Sequence, residues 1–594
     1  MKFLLVAINA KYIHSNPAIY SLRAYAGDEL APYIELAEYT INQQMQDILA
    51  DIYRREPDVV GFSCYIWNWN MVQELLRECP KLLPRTELWL GGPEVTYNGS
   101  DILKQFPHVK GIMVGEGEAT FKELLQWYVG QTKGIARNLS DISGLCLPSG
   151  YTLAREPIPL TELPFLYDHT EDFANRIIYY ETSRGCPYRC SYCLSAAQRQ
   201  VRLRDMETVK GELQFFLDNR VKQVKFVDRT FNCDHEHTKA IWRYIHEHDN
   251  GVTNFHFEIS ADILQEEELA LLGQMCSGLT QLEIGVQSVN PKTLEAVNRH
   301  SDMERLEAAV AAIHRGHNVH LHLDLIAGLP YEDYESFGNS FNRVYAMKPE
   351  QLQLGFLKVL KGSPLAERAD EFGICYLSKP PYEVLYTKWL SYKDVLRLKG
   401  IEEMVEQYYN SGQFVHTLSF LEQAFESPFA MYETLADFYR EQGFFNQSPA
   451  RVYRYHVLLS FARRYDGTYE TFYRELLTYD MLLREKPKSR PEFAMDIDAS
   501  VRQRIREFYQ TEEQNRVYLP SYEAYDWKQM SKMTHLEPFF YPVWDREEMR
   551  AYRHSAPEES QAKAMADKLP NYVLFDYNAR DPLTYAAFTT LIRP

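Results

Sequence analysis

No stretch of the 594-residue sequence sustains the roughly 18 uninterrupted apolar residues that a membrane helix needs, so no membrane partner is expected. Cysteine is scarce, nine residues in all, too few for a disulfide scaffold in a chain this long. A basic surplus is missing too: 64 Lys+Arg against 82 Asp+Glu leaves −18. That balance argues against a broad nucleic-acid footprint, because neutralising phosphates takes clustered cations. Internal repeats and low-complexity tracts are also lacking, and 45% hydrophobic residues exclude intrinsic disorder. The opening MKFLLVAINAKYIHSNP has an apolar run too short to span a bilayer and ends in polar residues rather than a small-residue cleavage site. It reads as a buried strand, not a signal peptide, and the expected location is the cytoplasm.

What is there begins with alternating apolar runs and amphipathic stretches. Phe3 to Ile8, Tyr33 to Tyr39, Val59 to Tyr65, Leu88 to Leu90 and Gly111 to Val114 read as strands. Helices are expected over Pro17 to Leu30, Gln44 to Arg55, Met71 to Cys79, near Leu103, and over Thr120 to Tyr128. Five strands with helices between them predict an α/β, doubly wound, Rossmann-like parallel sheet. Ligands of such sheets sit beyond the carboxyl ends of the strands. The residues there are Asn9 to Ser15, Ser63 to Asn68, Gly91-Gly92-Pro93-Glu94 and Gly115-Glu116-Gly117-Glu118; paired glycines let backbone approach a flat, bulky ligand.

A Ser at the end of the third strand, GGPE after the fourth and VGEGE after the fifth together resemble the cobalamin-binding domain that precedes many radical enzymes. The resemblance implies cobalamin (B12) contacts at His14, Ser63, Tyr65, Gly91, Gly92, Pro93, Glu94, Gly115 and Glu116. Domains of this kind that supply a histidine to cobalt carry D-x-H-x-x-G after the first strand. Here that loop is Asn9 to Pro17, and His14 stands in it without the motif's Asp or Gly. His14 is read as an axial ligand or a pocket-lining histidine, with Tyr65, Ile66, Trp67 and Trp69 as an apolar alternative for the lower face.

The densest chemistry lies in Arg184-Gly185-Cys186-Pro187-Tyr188-Arg189-Cys190-Ser191-Tyr192-Cys193. Thiolates are iron–sulfur ligands, and three within eight residues can wrap one cubane while leaving one iron open to a non-protein ligand. A zinc site would bring a fourth Cys or His, for which His235 and His237 are the candidates. C-x-x-x-C-x-x-C with an aromatic before the last Cys resembles the radical S-adenosylmethionine (SAM) superfamily. The resemblance implies a [4Fe-4S] cluster on Cys186, Cys190 and Cys193, SAM on the open iron, Tyr192 near the adenine, and reductive cleavage of the sulfonium to a 5′-deoxyadenosyl radical.

Strands Ile177 to Tyr180, Val224 to Val227, Phe255 to Ile259, Gln281 to Val286, Val319 to Ile326 and Gln351 to Phe356 alternate with helical stretches, similar to the superfamily's partial (β/α)6 barrel. Barrel chemistry sits at carboxyl ends of strands. The resemblance therefore assigns SAM contacts to Asp228, taking the amino group, and to Glu258, Ser260, Gln287, Ser288 and Leu329. His320 and His322 share a strand face and read either as reaching the substrate cavity or, the favoured reading, as barrel-interior hydrogen bonders.

Beyond Leu365 the pattern turns helical, for example over Tyr382 to Leu398 and Glu433 to Glu441, with many tyrosines at helical spacing. A last mixed segment holds Tyr572 to Tyr577 and Thr584 to Ile592. The expected organisation is a cobalamin domain over 1–135, a linker over 136–170, a barrel over 171–370 and a mostly α-helical domain over 371–594, with a sub-boundary at 485–491. The tail is similar to the helical extension of one cobalamin-associated radical subgroup. The resemblance implies an enzyme, most often a methyltransferase acting on an unactivated carbon or phosphorus of a small molecule or peptide, fed by a flavodoxin- or ferredoxin-type donor. Alternatives are cobalamin-dependent rearrangement or cyclisation, a methylthiotransferase, and a non-catalytic cobalamin or redox sensor.

Overall fold

The computed structural model describes residues 1–132, 134, 138–167, 173, 175–197, 200–447, 450–555 and 570–592. Of the expected linker over 136–170, residues 136, 137 and 168–170 lie outside them. The chain forms two compact units, Met1–Phe337 with Gly355–Tyr392, and Gly338–Leu354 with Lys393–Pro594.

The first unit opens with β1 (Phe3–Asn9), all seven residues buried, the continuous apolar run expected of a strand covered on both faces. It pairs in parallel with β2 (Ile34–Thr40) and β3 (Val59–Ser63), and β4 (Glu87–Gly91) and β5 (Val109–Met113) continue the sheet in parallel. The order β2-β1-β3-β4-β5 is a doubly wound sheet whose strand order reverses at β1. The crossover helix Pro17–Ala26 starts where Asn16 Oδ1 accepts from Ile19 N and proline occupies the first turn. β5 also carries an antiparallel addition, β6 (Leu145–Leu147) and β7 (Gly150–Tyr151).

Further along, β8 (Ile178–Tyr180) leads to the short antiparallel pair β9 (Ser183–Arg184) and β10 (Arg202–Leu203). β11 (Gln223–Phe226), β12 (Asn254–Ile259), β13 (Thr280–Gln287) and β14 (Val319–Ala327) continue a sheet ordered β14-β13-β12-β11-β8, and the sixth strand of the expected pattern, β15 (Gln351–Phe356), follows in the chain. Its registered pairs from β8 to β14 are all parallel, with helices such as Met206–Asp218 and His235–Glu247 between strands, so the partial barrel is present. Along β13 and β14 every second residue is fully buried, and Glu283, Gly285, Gln287, His322 and Asp324 take the opposite face.

The helix expected over Tyr382 to Leu398 is corrected. β16 (Cys375–Tyr376) pairs with β17 (Val384–Tyr386), and helix starts only at Tyr392. Val384 N donates to Leu357 O at 2.9 Å and Val359 N to Tyr382 O at 3.0 Å; these pairings and the burial of Val384 override a helical period.

The second unit is built from helices including Val415–Leu421, Pro428–Glu441, Tyr453–Asp466, Glu470–Arg484 and Ala499–Asn515. Residues 485–498 carry neither helix nor strand. An antiparallel sheet of β18 (Thr534–Phe539), β19 (Asn571–Arg580) and β20 (Ala587–Ile592) completes it.

Candidate functional site

The three clustered cysteines lie between β9 and β10, on a loop strapped to the barrel through backbone. Ser191 N donates to Val297 O and Leu365 N to Ser191 O, both at 2.8 Å; Cys193 N donates to Cys190 O at 3.0 Å. Asn298 Nδ2 adds a bond to Arg189 O at 3.0 Å. Cys186 and Cys190 are 8% and 7% exposed, and Cys193 is half-buried. His237 Nε2 is 3.1 Å from Thr182 Oγ1, and His235 Nδ1 is 3.0 Å from Glu268.

Beside this loop opens a polar cavity of about 130 Å³ lined by Tyr188, Arg229, Thr230, Glu258, Ser260, Glu283, Gly285, Gln287, Arg299, His300 and Asp324. Arg299 joins the two: its Nη1 lies 3.6 Å from Cys190 Sγ and 3.4 Å from Tyr192 OH, and its Nη2 donates to Gly285 O. Thr230 Oγ1 is 3.5 Å from Cys186 Sγ. Burial, with the Glu283 charge next, raises the Glu258 carboxyl to about 7. Glu283 is held down at about 2 against its own burial by His256 and Lys225, each 3.0 Å from its Oε2. The buried Gln287 Oε1 and Arg299 Nε make no hydrogen bond. Orphaned buried polar atoms beside a half-open cysteine loop fit a polar cofactor such as SAM.

Of the residues expected to hold SAM, Glu258, Ser260 and Gln287 line this cavity. Tyr192 packs with Leu329 in an apolar cluster that also holds Val297, Leu357 and Val384. Two expected contacts are turned elsewhere. The Asp228 carboxylate, 1% exposed, accepts from Thr182 N at 3.0 Å and Thr182 Oγ1 at 2.6 Å, anchoring the strand end that leads to the cysteine loop. Ser288 Oγ donates to Glu332 at 2.6 Å.

A second cavity, about 690 Å³, lies at the carboxyl ends of β1, β3, β4 and β5. His14, Ser63, Tyr65, Gly91, Gly92, Pro93, Gly115 and Glu116 all line it, as do Trp67, Tyr179, Arg184, Gly185 and Arg229. Glycine at 92 is obligatory: φ is +107° and an added Cβ would stand 2.5 Å from Cys64 O. The volume lies within the range of small-molecule sites, and its glycine-lined, largely apolar wall fits a corrin. Tyr65 and Trp67 stack at 4.4 Å and 10°, with Trp67 Nε1 fixed to Ile8 O at 3.1 Å. His14 Nδ1 lies 2.5 Å from Tyr179 OH, and burial followed by Lys11 and Lys225 lowers its pKa. Trp69 is in the core, 3% exposed. Glu94 is turned away: buried, it accepts from Tyr382 OH and from Lys361 Nζ at 3.2 Å. Cys64, Cys79 and Cys146 are all buried, and burial raises the Cys79 thiol to about 12.

Arg184 was visible in the sequence only as a neighbour of Cys186. In the structure it ties the halves of this unit together, donating to Glu118 at 2.6 Å, Glu181 at 2.9 Å and Glu116 at 3.2 Å, while Arg202 also donates to Glu116. Neither Arg184 nor Arg299 had a spacing signal, because their partners lie 66 and 109 residues away.

Residues 4–125 match the family described as B12 binding domain, 180–344 the radical SAM superfamily, and 370–557 a family described as protein of unknown function (DUF4080). Among curated relatives, the cobalamin-dependent radical SAM methyltransferase TokK of Streptomyces tokunonensis is 25% identical over 363 residues, 55% of this chain and 51% of TokK. The chain thus spans about half the length of the curated relatives it matches. Among solved structures, the cobalamin-dependent S-adenosylmethionine radical enzyme OxsB with aqua-cobalamin bound aligns at TM-score 0.57 and 14% identity over 81% of this chain and 79% of OxsB. The radical S-adenosylmethionine methyltransferase TsrM from Kitasatospora setae, with cobalamin and a [4Fe-4S] cluster, aligns at 0.52 and 18% over 64% and 76%; both likenesses are of fold. The two domain families imply a [4Fe-4S] cluster with SAM, and cobalamin. The doubly wound sheet lies almost wholly within the stretch that matches the one family and most of the cysteine-bearing partial barrel within the stretch that matches the other, so the chain carries a radical SAM domain with a B12-binding domain ahead of it.

Proposed function

We propose that this chain is a cobalamin-dependent radical SAM methyltransferase acting on an unactivated carbon or phosphorus of a small molecule or peptide. The observation that carries the reading is the meeting of the two cavities at one loop. Arg184 and Gly185 line the larger cavity, Tyr188 the smaller, and Arg229 both. Cluster and SAM, when bound, supply reductive cleavage and a carbon-centred oxidant, and the corrin supplies a methyl group.

The chain's own part is positional. Cys186, Cys190 and Cys193 would hold the cluster, and the straps from Val297 and Leu365 fix their loop. Glu258, Ser260 and Gln287, which line the smaller cavity, would orient SAM; Glu258, raised to about 7 by burial and the Glu283 charge, can hold a proton at its carboxyl. The glycines at 91, 92 and 115 would let backbone lie close to the corrin, and the stacked pair Tyr65–Trp67 adds apolar surface to one wall. His14, with Nδ1 at Tyr179, serves as a pocket-lining group. A flavodoxin- or ferredoxin-type donor supplies the electron.

The test is the pair of products left in solution. Anaerobically reconstituted protein, loaded with cobalamin and given SAM and reductant, should form both 5′-deoxyadenosine and S-adenosylhomocysteine, and Cys190→Ala should abolish the former. 5′-Deoxyadenosine without S-adenosylhomocysteine would favour rearrangement or cyclisation; neither product from loaded protein would favour a sensor.

A further inference from the structure

All but one of the carboxylates lining the two cavities have basic partners. At the larger cavity Glu116, Glu118 and Glu181 each accept from Arg184, at 3.2, 2.6 and 2.9 Å. At the smaller, Lys225 and His256 hold Glu283, and His322 holds Asp324. The remaining one, Glu258, is raised to about 7 by burial and the Glu283 charge, so it carries only part of a charge at neutral pH.

Arg229 is the cation left over. It is exposed and lines both cavities, and among the described residues its guanidinium makes no hydrogen bond or ion pair. Its charge favours ionisation of Tyr65, on the larger cavity, and of Glu258, on the smaller, which places the guanidinium between them. The backbone beneath it is anchored on both sides. Asp228 is fixed by Thr182 N and Oγ1, while Thr230 Oγ1 donates to Arg229 O at 2.9 Å and stands 3.5 Å from Cys186 Sγ. An arginine facing bulk water needs no counter-ion; one rooted beside the cysteine loop, on a wall shared by two cavities, has its charge unmatched where a ligand would lie.

We infer, on the reading of the larger cavity as the corrin site and the smaller as the SAM site, that Arg229 recognises an acidic group of the substrate, a carboxylate or a phosphate. The planar fork of a guanidinium matches either anion through two parallel hydrogen bonds. SAM brings a carboxylate of its own, the same chemistry from a second source. The place of Arg229 on the wall of the larger cavity as well as the smaller favours the substrate, which has to lie between the two cofactors.

The experiment uses the full chain with its cluster reconstituted and left oxidised and with bound cobalamin reduced to paramagnetic cobalt(II). Methylphosphonate is the probe anion, its neutral dimethyl ester the control, and phosphorus NMR relaxation the readout, without and with saturating SAM. Wild type should show a saturable relaxation enhancement for methylphosphonate that persists with SAM bound and is missing for the ester. Arg229→Gln should weaken probe binding at least about 10-fold, Arg229→Lys should recover part of it, and both should bind SAM in equilibrium dialysis as wild type does. The inference is overturned if wild type shows no saturable enhancement, if the ester matches the anion, or if Arg229→Gln binds the probe as tightly as wild type. It is equally overturned if SAM abolishes the enhancement or Arg229→Gln weakens SAM binding, either of which would assign the guanidinium to the SAM carboxylate. Corrin retention, read from the visible spectrum, keeps the underlying reading apart: protein that holds no corrin refutes both, and protein that holds corrin but no anion refutes this inference alone.

Discussion

Adjacent glycines at 91 and 92 look alike in the sequence and differ in the structure. A Cβ at Gly92 would meet Cys64 O at 2.5 Å and Cys64 N at 3.1 Å with φ at +107°, whereas one at Gly91 would meet Met113 Cε at an ordinary 3.5 Å. Gly92→Ala should therefore cost about 2–4 kcal/mol in urea unfolding and Gly91→Ala under about 1 kcal/mol. Arg299 gives a second residue-level prediction. Its guanidinium beside Cys190 Sγ favours the more negative, reduced cluster, so Arg299→Gln should retain iron and lower the reduction potential in an anaerobic titration. Glu258 gives a third. Its folded pKa of about 7 stands above its ordinary 4.5, so its contribution to stability is whole below pH 4.5 and is lost as pH rises through 7. Glu258→Gln does not titrate, so its melting temperature relative to wild type should rise between pH 5 and 8, by on the order of 2 °C. The cysteine triad was legible in the sequence because its spacing is local. Arg299 was not, because its partner Cys190 lies 109 residues away and is reached only through the tertiary fold.

Among elements, legibility followed length and environment. Parallel strands buried on both faces, such as β1, announce themselves as apolar runs; β6 and β7, three and two residues long, carry no period to read. β18 was missed for another reason: its Glu537 is buried against Arg490 and His535, which interrupts the apolar alternation. The link between the corrin-side loops and the cysteine loop is also an element-level feature, since β9 carries Arg184 to the buried Glu118, 7% exposed. Removing the guanidinium strips that carboxylate of its charged partner, and a buried ion pair broken on one side costs about 3–5 kcal/mol. Arg184→Ala should lower the first unit's unfolding free energy by that order. Lysine, with one donor head in place of a planar fork, should recover only part of it.

At the scale of the whole molecule, the second unit takes one piece of itself from earlier in the chain, Gly338–Leu354, so a boundary drawn at a single point cannot isolate it. Within that unit Asn342 Oδ1 accepts from Phe429 N at 2.9 Å, at the start of helix Pro428–Glu441. Phe341 lies 5.5 Å from Phe429 and 5.9 Å from Tyr432, ring centre to ring centre. Tyr345 OH donates to Glu422 at 3.0 Å, and Asn410 pairs both backbone groups of Leu352 at 2.9 Å. Burial of the two rings of Phe341 and Tyr345 alone is worth about 5 kcal/mol, a large share of the roughly 5–15 kcal/mol that holds an ordinary domain. A fragment of residues 393–594 should therefore lack a sharp thermal transition by circular dichroism. Adding the peptide 338–354 in excess should restore one and raise its midpoint with peptide concentration, as any ligand of the folded state does. A fragment that melts cooperatively without the peptide would show that the earlier segment only decorates a core complete in itself.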